Sequence, residues 1–340
     1  MRKFTAVIIW NLILLWALPA EIRAAGSFHE ALIQAEAGNP EMQYLVGRAY
    51  CAGDSVSKDI DNGVKWIRRS AVQNYPVACG VLGDFYLHGF GVPLDSTEAK
   101  KWLEKGANLG DGFSEGDLAD MYLNGNGVPK DFELALKWSE KAISMNDGQG
   151  EDIAGRIYCG GLGTEKDIDL GRKYFVMAAK QGNGDALVNL GWMAVYGIGV
   201  QVDYVKAHVW FNLAAKANDA RAFGSLGYLA SNGLGEEKDL KKSFQLDLKG
   251  SKAGDPRASD YVGHEYEDGI GVSRNKKKAF RYYQISADAG LDIGQEDVGR
   301  CYEHGIGVKV DKDEAIRWYK LSADQGNAKA SDRLKVLVIQ

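Results

Sequence analysis

Two serines in this chain are followed three residues later by a lysine: Ser55 with Lys58, and Ser273 with Lys276. This is the spacing of the acylated serine and its lysine in penicillin-recognising enzymes, and it would suit a peptidoglycan- or β-lactam-directed hydrolase. Neither Ser-Asp-Asn nor Lys-Thr-Gly accompanies either pair, so both are assigned to chance. The five histidines, His29, His88, His208, His264 and His304, have no metal-ligand spacing. Gly-x-Ser-x-Gly, His-Glu-x-x-His, a phosphate-binding glycine loop and Cys-x-x-Cys are all missing. No catalytic residue, metal or cofactor is therefore expected. What remains is the chemistry of recognition: Trp192 and Tyr196 at i, i+4, followed at steps of 36 residues from Trp192 by Tyr228, His264 and Arg300, and preceded at the same step by Arg156.

That step belongs to the whole chain. Tyr50, Tyr86, Tyr122 and Tyr158 are 36 residues apart, and the series continues through Ala194 and Ala230 to Tyr266 and Tyr302. A fixed period of this length marks an array in which each unit packs on its neighbours. One glycine row runs from Gly53 through Gly89 to Gly305; a second, two residues later, runs from Gly91 to Gly307, with Ser55 in the first copy. Four residues beyond stands Asp59, Asp95, Asp131, Asp167, Asp203, Asp239, Asn275 or Asp311. Glycine closes a helix in the left-handed conformation and Asp or Asn caps the next one, so the phrase reads helix, tight loop, helix. Asp95 with Glu98 and Asp311 with Glu314 have capping-box spacing. The opposite junction holds only Gly or Asn, from Asn74 and Gly110 to Gly326, and Pro40, Pro76 and Pro256 open the helices that follow. Each repeat is thus a pair of antiparallel helices, 40–52 and 60–73 in the first copy.

The first helix of a pair presents Ala78, Leu82, Gly83 and Tyr86 on one face. The second carries Trp66, Trp102, Trp138, Tyr174, Trp210, Leu246, Tyr282 and Trp318, with small residues three before and four or five after. Alternating large and small residues let helices approach closely, so these rings are expected in the core rather than as a carbohydrate-binding array.

The phrase Ala-x-x-x-Leu-Gly-x-x-Tyr-x-x-Gly-x-Gly-Val-x-x-Asp-x-x-x-Ala-x-x-Trp, nearly complete at 78–102, resembles the Sel-one-like repeat family, a branch of the tetratricopeptide-type repeats. The resemblance covers about residues 27 to 340. It implies an all-α fold, an α/α solenoid superhelix, with a role in protein recognition and no catalytic residue to carry over. Departures are Ala194 and Ala230 for the tyrosine, Leu246 for the tryptophan, and Thr164 and Glu236 for the loop valine. The repeats run 39–74, 75–110, 111–146, 147–182, 183–218, 219–254, 255–290 and 291–326, with half-repeat caps at 26–38 and 327–340.

First helices line the inner wall of such superhelices, as the resemblance implies. The outward position two residues before the tyrosine is Arg48, Asp84, Asp120, Arg156, Trp192, Tyr228, His264 or Arg300. Trp192, Tyr196, Tyr228 and His264 are the expected anchors for a protein partner, with Arg156 and Arg300 as flanking charges. Folding of Trp192 and Tyr196 inward, to replace the ring lost at Ala194, is the competing reading. A purely architectural spacer is the other alternative.

Residues 1–25 have the form of a secretory signal peptide: Arg2-Lys3, an apolar run from Phe4 to Leu18, then small residues at Ala24 and Ala25. The run is short for a membrane span, and the mature protein is expected in the periplasm or secreted, meeting an envelope-assembly or host protein. The net charge of −5, about −7 once Arg2, Lys3, Arg23 and Glu21 are removed, argues against nucleic acid and anionic lipid as partners. Oligomeric state is left open. Cys51, Cys79, Cys159 and Cys301 fall at repeat positions too far apart to join. Alkylation of the unfolded chain without reductant is therefore expected to label four thiols, as read by mass; two or four protected cysteines would overturn that geometry.

Overall fold

A computed structural model describes residues 28–339; the basic and apolar N-terminal segment lies outside them. Among the described residues there are 18 α-helices and no strand. The chain divides into two compact units, one ending at Leu187 and one beginning at Val188. The first holds α1 (Phe28–Glu36), then the pairs α2 (Pro40–Ala52) and α3 (Ile60–Val72), α4 (Pro76–His88) and α5 (Ser96–Asn108), α6 (Gly112–Asn124) and α7 (Phe132–Ser144), and α8 (Gly148–Gly160) and α9 (Ile168–Lys180). The division falls within α10 (Gly184–Tyr196), most of which belongs to the second unit. There α11 (Tyr204–Lys216) is followed by the pairs α12 (Arg221–Asn232) and α13 (Leu240–Lys252), α14 (Pro256–Asp268) and α15 (Lys276–Asp288), and α16 (Asp292–His304) and α17 (Lys312–Ala323), then by α18 (Ala328–Ile339). The fold is an α/α solenoid. In each unit a second helix packs on its own first helix and on the first helix of the next repeat. First helices also touch one another, which makes theirs the more crowded face.

The loops explain the constancy of the period. Gly89, typical of its row, ends α4 at φ 70°, and its N–H closes onto the Phe85 carbonyl. Two residues on, Gly91 lies against α3 of the preceding repeat, where an added Cβ would come within 2.6 Å of Ile60. Ser55 takes the same left-handed conformation, φ 61°. The carboxylate of Asp59 accepts from the Asn62 N–H at 3.0 Å, and the other seven Asp or Asn caps do likewise. Each of these caps also donates its own N–H to the carbonyl at the tyrosine position, including Ala194 and Ala230. That bond needs no ring, so the two alanines leave the loop intact. The expected capping boxes are half made: Glu98 turns forward to Lys101 and Glu314 to Arg317, each a turn along its helix.

The tryptophan row departs from expectation. Trp66, Trp102, Trp138 and Trp210 are half-buried rather than central, and only Trp318 is buried. Cations cover several of them, with Arg69 4.6 Å from the Trp66 ring centre and Lys141 4.0 Å from that of Trp138. The core position is the next residue: Ile67, Leu103, Phe175, Phe211, Tyr283 and Tyr319, all buried. The reason is geometric. The buried residues of α5 are Ala99, Leu103, Gly106 and Ala107, an arc that centres near Leu103 and leaves Trp102 on its flank. Each of these core side chains fills the place of a missing Cβ on the first helix. A Cβ at Gly83 would stand 2.7 Å from Leu103, and one at Gly155 would stand 2.6 Å from Phe175.

All four cysteines are free thiols, and Cys51 and Cys159 point at Gly63 and Gly171 of their own second helices. Burial pushes the Cys51 and Cys301 thiols up to about 12.

In the sixth repeat the core position is Asp247, set against Gly227. Burial, with the neighbouring Glu265 and Asp247 carboxyls acting on each other, pushes Asp247 up to about 7 and Glu265 up to about 8. Both values are raised above those of the unfolded chain, so the pair favours the fold most below about pH 4 and loses that advantage as pH rises through 7 and 8. Thermal unfolding followed from pH 5 to 9 should show wild type losing on the order of 3 kcal/mol more stability than the variant Asp247→Asn with Glu265→Gln, whose amides do not titrate.

Candidate functional site

The outward position of the first helix is set by exclusion. Residues turned toward the second helix must be small or apolar, and those turned to solvent along the same helix are free to vary. In the second unit this free row holds Trp192 on α10, Tyr228 on α12, His264 on α14 and Arg300 on α16.

Trp192 and Tyr196 stack with ring centres 5.5 Å apart and planes 14° apart. Tyr228 meets Trp192 edge to face at 5.3 Å, and the buried Phe211 ring supports Trp192 from below, also at 5.3 Å. A hydrogen bond to Tyr196 holds the Tyr228 hydroxyl above its ordinary pKa. Tyr196 is 60% exposed and Tyr228 38% exposed, while Ala194 and Ala230 are buried. The three rings form one cluster, with Trp192 half-buried at its base.

His264 and Arg300 belong to a second arrangement. His264 Nε2 lies 3.2 Å from Asp297 Oδ2 and 3.6 Å from Asp260 Oδ2. Its Nδ1 lies 3.0 Å from the Tyr283 hydroxyl, which donates to Glu267 Oε2 at 2.8 Å. Arg300 grips both oxygens of Glu267 at 2.9 and 2.8 Å, and bonds Asp297 Oδ1 through Nε and Nη2. Hydrogen bonds donated to Asp260 and Asp297 raise the His264 pKa to about 10, and Arg300 pulls Glu267 down to about 2. Burial raises Asp260. The donor atoms of Asp260, His264 and Asp297 all lie within 4.8 Å of one another. Histidine and cysteine spacing does not reveal this group, because two of its three members are carboxylates. Asp260 and His264 are one helical turn apart, and Asp297 comes from the next repeat, a signal that the 36-residue register contains.

In the first unit Arg156 occupies the same register position. Its Nη2 donates to Asn124 Oδ1 at 3.1 Å, and Asp120 and Asp152 lie 3.6 and 4.0 Å from Nη1. The Ser-x-x-Lys residues are exposed, in loops except for Lys276, which begins α15, and the Ser55 hydroxyl donates to Asp54.

With the fold and this surface described, the class is that of TPR-like helical repeat scaffolds, which mediate protein–protein interaction. The Sel1 repeat model matches at 40–75, 76–111, 114–147, 153–183, 184–219, 225–255, 256–291 and 293–327, and the chain belongs to the Sel1 repeat family. A Sel1 repeat protein from Oxalobacter formigenes is 31% identical, with 91% of this chain and 89% of that one covered and a TM-score of 0.56. A protective antigen of uropathogenic Escherichia coli strains, displaying an SLR fold, is 30% identical over 92% of this chain and 67% of its own, with a TM-score of 0.52. Yeast Tom70, 12% identical over 89% of this chain and 64% of its own, shares the fold alone at a TM-score of 0.55. No curated protein matches the chain. None of the described helices is long and apolar enough to cross a membrane.

Arg300 is the clamp of the ionic group, because removing it leaves Glu267 with only the Tyr283 hydroxyl and Asp297 with only His264, at side chains 16% and 6% exposed. Arg300→Ala should cost about 2–4 kcal/mol in urea unfolding. Arg300→Lys should recover less than half of that loss, since one ammonium cannot make both forks.

Proposed function

We propose that the chain is a non-enzymatic adaptor that docks a protein partner on the first-helix face of its second unit. The observation that carries this reading is the ring cluster of Trp192, Tyr196 and Tyr228. Rings already held by one another offer large contact area with little side-chain entropy left to lose, and aromatic clusters of this kind dominate binding energy at interfaces. His264 and Arg300 extend the same face with a polar rim. The free position shows variety where the helix-packing positions show constancy, which is the pattern of a surface adapted to a particular partner.

The adaptor is exported, in this proposal, to the periplasm or beyond the cell. The N-terminal sequence supports export, and so does the 30% identity to a protective antigen of uropathogenic Escherichia coli strains. The partner is then an envelope-assembly component or a host factor.

The test uses the mature chain as bait in envelope extract and in host fluid, with the Tyr196→Ala, Tyr228→Ala double variant beside it. These two exposed rings can be removed without opening the core, so helicity and melting temperature should stay within a few degrees of wild type. The partner's affinity should fall by about 2 kcal/mol per anchor lost, roughly thirtyfold. Equal capture by both baits would place the partner elsewhere, and retained function without any ring dependence would favour a spacer.

A further inference from the structure

We propose that Asp260, His264 and Asp297 bind a divalent first-row transition-metal ion of the zinc class on the first-helix face of the seventh and eighth repeats. The carboxylates come from α14 and α16 and the imidazole from α14, so the site is made only where two repeats stack.

The two distances from the histidine fit a bound ion, and all three donor atoms lie within 4.8 Å of one another. An ion about 2.0–2.2 Å from nitrogen and oxygen ligands keeps neighbouring donors roughly 3.0–3.6 Å apart. The observed separations from His264 Nε2 are 3.2 and 3.6 Å.

The surroundings prepare each ligand. Tyr283 gives its single hydroxyl proton to Glu267, so its oxygen faces His264 Nδ1 as an acceptor and fixes the ring hydrogen there. Nε2 is left as the atom that takes either a second proton or a metal. Such outer hydrogen bonds orient metal-bound histidines generally. Asp297 gives Oδ1 to Arg300 and keeps Oδ2 for the ion. Asp260 is 2% exposed, and its Oδ1 has no hydrogen-bond donor although it is fully buried. A cation beside this carboxylate supplies the compensation that hydrogen bonding does not.

The charges balance. Two carboxylates and a neutral imidazole carry −2, and a divalent ion brings them to zero while the Nε2 proton leaves for solvent. One nitrogen with two oxygen donors selects zinc, cobalt or manganese over magnesium and calcium, which take oxygen ligands alone. His264 remains 44% exposed at its side chain, so a water or a partner's side chain completes the shell from the open face.

The experiment is titration of the full chain, stripped with chelator and dialysed, with ZnCl₂ by calorimetry and with CoCl₂ by visible absorption. One zinc per chain and a cobalt d–d band are expected, with no heat from MgCl₂ at the same concentration. Asp260→Asn and His264→Gln should each lose zinc affinity at least tenfold and lose the cobalt band, with far-UV circular dichroism unchanged. Tyr283→Phe, which breaks only the outer shell, should weaken zinc by about tenfold. Absence of stoichiometric zinc binding by folded wild type would overturn the proposal. So would zinc binding kept at full strength by both Asp260→Asn and His264→Gln.

Discussion

The close approach of two helices at a missing Cβ governs this molecule. In seven of eight repeats the first helix has glycine at the contact, from Gly47 to Gly299, and the second helix drives a side chain into the space. Where the third repeat has Ala119 instead, the residue in register is Ser139, the smallest of the row, and both are fully buried. Where the first helix gains a Cβ, the second helix gives up its bulk. Interiors packed near crystal density allow little else, and the constraint returns every 36 residues because each pair must also seat the next. Loop length, cap residue and period all serve this contact.

Fixing one face of the first helix releases another. The released row has acids and arginines in the first unit, Arg48, Asp84, Asp120 and Arg156, and rings followed by an ionic group in the second. Helical repeats separate stability from recognition in this way: the inward face is repeated and the outward face is composed. Trp192 joins the two, since it rests on the core ring of Phe211 and supports Tyr196 and Tyr228 on its exposed side.

The second unit buries acids by two opposite means. Asp247 and Glu265 are held high in pKa by desolvation and favour the neutral form. Glu267 keeps its charge because Arg300 meets it with two parallel hydrogen bonds and Tyr283 adds a third. Glu265 and Glu267 are two residues apart on α14, so two acids of one helix respond in opposite senses to acid. Partner geometry, rather than residue type, decides which state is buried.

Helix pairs, their boundaries, the N-caps at Asp59 to Asp311 and the left-handed positions at Asn74 and Gly110 were all legible in the sequence, because backbone hydrogen bonding and steric limits on φ act locally and repeat eight times. The row that carries Trp192, Tyr228, His264 and Arg300 was legible as a row. Three things were not. Leu103 rather than Trp102 is central, because a difference of one residue on a helix is about 100° of rotation, and only the facing glycine shows which direction is inward. Tyr196 stays outside while Trp192 leans on Phe211, a division fixed by the rings of the next helices. Asp260, His264 and Asp297 meet across two repeats, so their assembly depends on how far apart the first helices stack, a distance that the chain acquires only on folding.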